Sequence, residues 1–223
     1  MRAIRGVIRE IGLWIRYFCV WPGLPPCGNP AEGADCILVQ AFGRNSNNDA
    51  ELRTIAELRQ RCRTDLLAVE ALHNFGFDAG TPNDDLAREC EAVMNRYPNM
   101  VAIVQWEVAA GFDWRWCRSN SRRIICIWPG HEGYLSTTDV LKQSHGIMQS
   151  HRLKRPIQLA HRRHMVRAFL IARKVLGTEP IVLRQRTCSF DRWSVQFWTR
   201  TWYRWAVRET LARVHHLVTR KVW

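Results

Sequence analysis

Short motifs that identify common cofactor-binding proteins are missing from this sequence. None of the eight cysteines forms a CxxC pair, so neither a zinc knuckle nor a redox-active dithiol is indicated. The chain also has neither the GxGxxG turn of dinucleotide-binding proteins nor the Gly-Lys-Ser/Thr ending of a P-loop. We therefore predict no metal site, and any candidate chemistry must come from other polar residues.

No apolar run of the sequence is long enough to cross a bilayer. The best stretch, residues 11–21, is interrupted by Arg16, whereas a spanning helix needs about 20 apolar residues. A cleavable signal peptide also fits poorly, since no small-residue cleavage site follows. Cys36 and Cys126 lie inside apolar runs, and Cys62 and Cys90 lie at apolar positions of helical patterns. These features predict a cytoplasmic protein with reduced cysteines.

Acidic residues are scarce at both ends of the chain, which concentrates positive charge there. The net charge is +13, yet the first 21 residues hold four Arg against one Glu, and residues 192–223 hold seven basic residues against one Glu. Basic ends of this kind suit an acidic surface, either anionic lipid or nucleic acid. The charge pattern alone does not favour one of these two surfaces over the other.

The central part of the chain alternates short apolar runs with longer segments of helical periodicity. We predict strands over residues 35–41, 100–106, 123–128, 157–160 and 181–183. Helices are predicted over residues 49–75, 136–149 and 165–176, with another that Asn83 and Asp84 can cap and that ends before Pro98. Residues 111–123 are expected to be irregular.

This alternation predicts a Rossmann-like, three-layer αβα fold with a mainly parallel sheet of about five strands. The domain covers residues 34–186 of the 223-residue chain. A basic, apolar segment with a proline-rich linker precedes it over residues 1–33, and a basic, Trp-rich helix follows it over residues 187–223. Ligands of such sheets bind outside the carboxyl ends of the strands, so the segments after each strand are the candidate site.

The turn after the first strand is one candidate for anion binding. Gly43, Arg44 and Asn45 open a polar segment whose backbone N–H groups, amides and guanidinium could meet an anion. An ordinary Asn-rich turn before the next helix explains the same residues.

A second polar segment follows the third strand. Glu132 could act as an acid, a base or a hydrogen-bond partner, and we predict that it takes part in function. Ser136 and Asp139 have the spacing of a capping box, which would explain the hydroxyl groups around Thr138 by helix capping alone.

The segment after the fourth strand combines histidine and arginine without an acid. His161, His164 and Arg167 lie about one helical turn apart, so they could face one pocket and hold a phosphate or carboxylate. A solvated basic start of a helix is the alternative. Metal binding would need a third ligand such as His131 or Glu132, and only converging loops would supply it.

The last two segments resemble a known bacterial family. Its members carry an acidic residue six positions before a Thr that opens a helix, and later the block Thr-Ser-x-x-His-Met-x-Arg-Ala. Glu132 and Thr138 have this spacing, and residues 164–168 read His-Met-Val-Arg-Ala. The chain thus resembles the YdcF, SanA and ElyC-like proteins, grouped as domain of unknown function 218. The resemblance implies a Rossmann-like fold, binding of S-adenosylmethionine or a nucleotide, and a link to envelope biogenesis, without an agreed reaction.

The carboxy-terminal segment mixes tryptophan with arginine. Arg200, Arg204 and Arg208 repeat every four residues beside a stripe that includes Trp202 and Trp205. This pattern is typical of an amphipathic helix at a lipid headgroup boundary. A last helix that packs on the sheet and a nucleic-acid surface are the alternatives.

Two hypotheses from different classes follow. In the first, a YdcF-like domain binds a small anionic or nucleotide-type ligand through Glu132, Thr138, His164 and Arg167, and Glu132 and His164 are the candidate catalytic residues. The domain is then expected in the cytoplasm, with peripheral attachment to the inner membrane as one expectation. In the second, the protein catalyses no reaction and docks on an anionic membrane, or less favourably on nucleic acid, through its basic ends.

Overall fold

The computed structural model describes residues 11, 27–29, 33–43, 57, 65–74, 76–129, 135–183, 189–194 and 196–219. Several predictions lie outside these residues. They concern the turn beyond Gly43, the first half of the helix predicted over residues 49–75, the segment 130–134 and most of the amino-terminal extension.

Five parallel strands form one sheet in the order β3-β2-β1-β4-β5. The strands are β1 (Cys36–Gln40), β2 (Val101–Gln105), β3 (Ile124–Ile127), β4 (Pro156–Ala160) and β5 (Ile181–Val182). In the register of the sheet, Ile37 lies between Ala102 of β2 and Ile157 of β4. The order runs outward from β1 in both directions, which is the Rossmann arrangement. The predicted fold class is confirmed.

Seven α-helices of the described residues accompany the sheet. They are α1 (Asp65–Asn74), α2 (Thr81–Arg96), α3 (Trp106–Ala109), α4 (Trp114–Ser119), α5 (Thr137–Ser150), α6 (Met165–Leu176) and α7 (Trp202–Val218). Short 3-10 helices occupy Ser121–Arg123 and Phe197–Thr199. None of these helices is both long enough and apolar enough to span a membrane.

The sheet is buried on both faces, as its continuous apolar strands predict. Successive side chains of β1 point to opposite faces. Ile37 and Val39 belong to the apolar cluster formed with α1 and α2, whereas Cys36 and Leu38 belong to the cluster formed with α5 and α6. The two clusters form the outer layers of the fold, with the sheet between them.

Local signals in the sequence fix the ends of the two helices nearest the candidate site. Ser136 caps α5 and accepts from the backbone N–H of Asp139, whose carboxylate accepts in turn from the Ser136 N–H. The predicted capping box is therefore confirmed. Gly177 ends α6 in the left-handed conformation, with φ at 66°.

The prediction of an irregular segment over residues 111–123 is wrong. Asp113 caps α4 and accepts from the backbone N–H of Trp116 at 2.9 Å. The Trp116 indole donates to Asn95 Oδ1 at 2.8 Å, and Trp114 and Trp116 pack against the α1–α2 cluster. Tertiary packing of these tryptophans orders a segment whose sequence has no helical period.

Two further boundary predictions differ from the structure. Asn83 does not cap α2, because the helix begins earlier, at Thr81, after Gly80. The carboxy-terminal helix begins at Trp202, so Arg200 lies before it. Trp205 is buried while Trp202 is exposed, so the expected tryptophan stripe does not form one surface.

Candidate functional site

A cavity of about 270 Å³ lies at the carboxyl edge of the sheet. Its walls come from the ends of β1 and β2, from the first turns of α5 and α6, and from the inner face of α7. The strand order reverses between β1 and β4, and Rossmann-like folds bind their ligands at this point. The cavity thus lies where the fold predicts a site.

The turn after β1 is held in place by Asn83. Its Oδ1 accepts from the Phe42 N–H at 2.9 Å, and its Nδ2 donates to the Gly43 carbonyl at 2.9 Å. Gly43 has φ at 78°, and a Cβ there would lie 2.6 Å from Thr199 Oγ1 and 2.8 Å from Ser194 Oγ. Glycine is therefore required for the segment before α7 to close over the turn.

Two glutamine amides lie at the strand ends beside the cavity. Gln40 ends β1 and Gln105 ends β2, and the register that pairs Val39 with Val104 makes them neighbours. Gln105 Oε1 accepts from the Ala41 N–H at 3.1 Å. Within the described part of the protein, neither the oxygen nor the nitrogen of the Gln40 amide has a hydrogen-bond partner.

A buried carboxylate connects α7 to α6. The Arg167 Nε donates to both Glu209 oxygens, at 3.1 and 3.0 Å, and Arg213 Nε donates to Glu209 Oε1 at 2.9 Å. The two guanidinium groups lower the pKa of Glu209 to about 2 despite its burial, which acts in the opposite direction. Arg167 therefore holds a carboxylate of the chain itself.

His164 lies within the same network and is neutral. Arg167 Nη2 donates to His164 Nδ1 at 2.9 Å, and a guanidinium cannot accept, so Nδ1 carries no proton. The other ring nitrogen then donates to Thr137 Oγ1 at 3.2 Å. Burial and, next, the charge of Arg167 lower the pKa of His164. The imidazole links α6 to the first turn of α5.

The inner face of α7 adds aromatic and basic groups to the cavity. Trp205 is buried in its wall, and the Arg208 guanidinium lies 5.2 Å from the centre of the Trp198 ring. His215 and His216 line the cavity about two turns beyond Arg208 along the helix. Glu107, in the short helix α3, lines the cavity from the sheet side.

The structure brings together some of the predicted site residues. Gly43, His164 and Arg167 line the cavity. Thr138 lies in the first turn of α5 but does not line it, whereas its neighbour Thr137 does. Arg44, Asn45 and Glu132 lie outside the described residues, so their predicted roles stay predictions.

His161 lies apart from the cavity. It is buried, its ring stacks on Phe42 with centroids 3.7 Å apart, and Phe190 meets it edge-on at 5.3 Å. Its Nε2 bonds to the Ser189 carbonyl at 2.9 Å. The ring joins the β1 turn to the segment that leads to α7.

Gln40, Gln105 and Glu209 are site residues that were not predicted from the sequence. The two glutamines end apolar strand runs, and an amide at this position of a parallel strand is a signal for the ligand edge. Glu209 is the only acid among residues 192–223. A lone acid inside a basic helix indicates a buried partner for an arginine elsewhere.

Among the described residues, no group of three or more His, Cys, Asp or Glu side chains could hold a metal ion. Comparisons with protein-family models, with curated proteins and with solved structures found no match for this chain.

Proposed function

We propose that this protein binds a small ligand with an anionic group, about the size of a mononucleotide, in the cavity at the carboxyl edge of the sheet. The observation that carries the proposal is the Gln40 amide, which is only 3% exposed, lines the cavity and has no hydrogen-bond partner among the described residues. Leaving such a buried group unsatisfied costs about 1–3 kcal/mol. A ligand that offers both a donor and an acceptor would recover this free energy.

The size of the cavity limits the ligand. Pockets for drug-sized molecules usually measure about 300–1,000 Å³, and this cavity of about 270 Å³ lies just below that range. A dinucleotide is therefore disfavoured, while a sugar phosphate, a nucleoside or a mononucleotide suits the space. S-adenosylmethionine, which the family resemblance implies, is the largest ligand that we include.

The charges around the cavity favour a ligand with one anionic group. Arg167 and Glu209 compensate each other, while Arg208 lines the cavity on the α7 side and Glu107 lines it on the sheet side. Arg208 can pair with a phosphate or carboxylate. Glu107 and the Gln40 amide can bind the hydroxyl, amine or amide groups at the other end of the same molecule.

Calorimetry and thermal-shift measurements on the full chain test this proposal. The ligand panel contains inorganic phosphate, nucleosides, nucleoside monophosphates, sugar phosphates and S-adenosylmethionine. At least one phosphorylated member should bind the wild-type protein, and Gln40→Leu should weaken that binding by about tenfold or more, since one buried polar contact contributes about 1.5 kcal/mol.

Gln158→Leu is the matched control. Gln158 is also buried in the sheet, on the neighbouring strand β4, and its amide also has no partner among the described residues, but it does not line the cavity. Its substitution should leave ligand binding unchanged. The proposal fails if no ligand of the panel binds, or if the two leucine variants lose binding equally.

Two further variants assign the ends of the ligand. Arg208→Gln should weaken a phosphorylated ligand and leave the corresponding nucleoside or sugar unaffected, because only the phosphorylated form has the charge that a guanidinium recognises. Glu132→Gln tests the predicted contribution of the segment after the third strand. If Arg208→Gln weakens both forms to the same extent, Arg208 shapes the cavity and does not bind the anion.

A further inference from the structure

On α7 a stripe of apolar side chains is exposed, while charged side chains are buried on the other side of the helix, beside Trp205. Tyr203, Val207, Leu211, Val214 and Val218 repeat at steps of three and four, and all are exposed. With 3.6 residues per turn they share an arc of about 80° on one side of the helix. On the opposite side, Glu209, Arg213 and His216 are buried. The helix therefore has an inverted amphipathic pattern, because the polar network of the cavity occupies its inner face.

The residues of this stripe are neighbours on one helix and are strongly exposed, unlike the single exposed hydrophobic residues that are scattered over most protein surfaces. Val207 is 64% exposed, Leu211 60% and Val218 78%. Phe197, Trp193 and Trp202 are also more than half exposed in the segment that leads into the helix. A continuous apolar surface with aromatic residues at one end indicates an interaction surface.

Two arginines beside the apolar stripe indicate that its partner is negatively charged. Arg204 and Arg208 run along one border of the stripe, and the guanidinium of Arg204 lies 3.9 Å from the centre of the Phe197 ring. The only acid of residues 192–223 is Glu209, which is buried, so no carboxylate of the described helix faces solvent. The border thus carries positive charge that no carboxylate of the described helix compensates.

We propose that the exposed stripe of α7, from Tyr203 to Val218, docks on an anionic lipid surface. Val207 and Leu211 enter the boundary between headgroups and acyl chains, and Arg204 pairs with the anionic headgroups. Nucleic acid would use the arginines but not a stripe of valine and leucine. A second copy of the chain would bring the positive borders of two helices together. Of these three partners, only an anionic lipid surface would contact both the apolar stripe and the arginines along its border.

Co-sedimentation of the full chain with vesicles tests the proposal. Phosphatidylcholine vesicles with about a quarter of phosphatidylglycerol should bind the protein, vesicles of phosphatidylcholine alone should bind it weakly, and added salt should weaken the binding. The double variant Val207→Asn with Leu211→Asn should bind at least about tenfold more weakly, because two apolar contacts with the lipid are lost. Arg204→Gln should bind more weakly and with a smaller dependence on salt.

Leu67→Asn is the matched control, since Leu67 is an exposed leucine of α1, on the other face of the sheet. It should sediment like the wild-type protein. The double variant should still bind the cavity ligand, because the stripe faces away from the cavity, so a failure of docking can be distinguished from a failure of the proposed function.

Three outcomes would overturn the proposal. The first is that the wild-type protein does not sediment with anionic vesicles, or that the double variant sediments equally well. The second is that light scattering shows a dimer which the double variant abolishes, since the stripe would then join two copies. The third is that the double variant loses binding to duplex nucleic acid while its vesicle binding is unchanged.

Discussion

The carboxylate of Glu209 accepts from two guanidinium groups and is almost completely buried. Glu209 and Arg213 are 2% and 3% exposed, and the side chain of Arg167 is 15% exposed. A buried ion network adds little net stability when it is intact, because each charge has lost its hydration. Removing one member has a large effect, since the others are left buried and uncompensated.

Glu209→Gln should therefore destabilise the protein by about 3–5 kcal/mol, because two buried arginines would face a neutral amide. Urea unfolding, followed by circular dichroism, measures the change in the free energy of unfolding. Glu179→Gln replaces an exposed glutamate and should stay within about 0.5 kcal/mol of the wild type. A loss below about 1 kcal/mol in Glu209→Gln would show that water enters the network.

The neutral state of His164 predicts how stability depends on pH. Its pKa in the folded protein is lowered from the ordinary value of 6.5. Below about pH 6.5 the unfolded chain therefore binds a proton that the folded protein does not, and the free energy of unfolding falls as the pH falls. The pKa of Glu209, lowered from 4.5 to about 2, extends this loss into the range between those values, because the unfolded chain again binds more protons.

His164→Asn should remove the first part of this dependence. An asparagine oxygen can still accept from Arg167, but it does not titrate. Chemical unfolding at intervals between about pH 7 and 5 should give a shallower slope for His164→Asn than for the wild type. His151→Asn, at the exposed end of α5, should keep the wild-type slope. Parallel curves for all three proteins would contradict the prediction.

Among the site residues, those with a local signal could be predicted and those with a long-range partner could not. His164 and Arg167 were found because they follow a strand and share one side of a helix turn. Glu209, their partner, is 42 residues away from Arg167 along the chain. No periodicity within either helix indicates this contact, since it depends on how α7 packs on α6.

The capping box in the first turn of α5 is expected to affect both the stability of the helix and the cavity that this turn lines. Ser136 and Asp139 form the capping box, and the next residue, Thr137, meets His164. Ser136→Ala removes the acceptor for an N–H at the helix start and should cost about 1 kcal/mol. Because the same turn lines the cavity, the variant should also weaken the binding of the cavity ligand.

Thermal unfolding and calorimetry on Ser136→Ala check both effects. Ser150→Ala, at the other end of α5, is the control, because its hydroxyl donates to the Ile147 carbonyl on the exposed surface. It should change stability by no more than about 0.5 kcal/mol. If Ser136→Ala is equally mild, the cap does not determine where α5 begins.

The helices differ in how much of them the sequence predicts. Both α5 and α6 have a clear helical period in the sequence. A capping serine marks the start of α5 and a glycine marks the end of α6, so the bounds of both helices agree with the prediction within one residue. The orientation of α7 was not predictable in this way. Its apolar stripe would normally mark the buried face, and only the charged network with α6 reverses it.

The fold of the whole molecule depends on the alternation of apolar runs and helical periods, which is why it could be predicted. Each buried strand is a short continuous run, and each crossover between parallel strands needs a helix. The tryptophan-rich segment of α4 lacks such a period and was missed. The site was located by the general position of ligands in this fold, whereas the identity of its polar groups required the packing of α7.

The packing of α7 also predicts what its removal does. Neither apolar cluster of the described sheet includes a residue of α7. A chain that ends before Trp202 should therefore keep its sheet and unfold cooperatively, at a lower temperature than the full chain. It should not bind the cavity ligand, because Arg208 and Trp205 would be lost from the cavity wall.

The truncated chain should not have the unfavourable buried charge that Glu209→Gln creates in the full chain. In the truncated chain Arg167 meets water, whereas in Glu209→Gln it stays buried beside Arg213. Arg167→Gln should accordingly destabilise the full chain by about 3 kcal/mol or more and leave the truncated chain within about 0.5 kcal/mol. Urea unfolding of the full and truncated chains, each with and without Arg167→Gln, gives the four free energies of unfolding of this double-mutant cycle. If Arg167→Gln lowers the free energy of unfolding equally in the full and truncated chains, Arg167 stabilises the domain through contacts other than Glu209. If the truncated chain has no cooperative unfolding transition, α7 is part of the folding core.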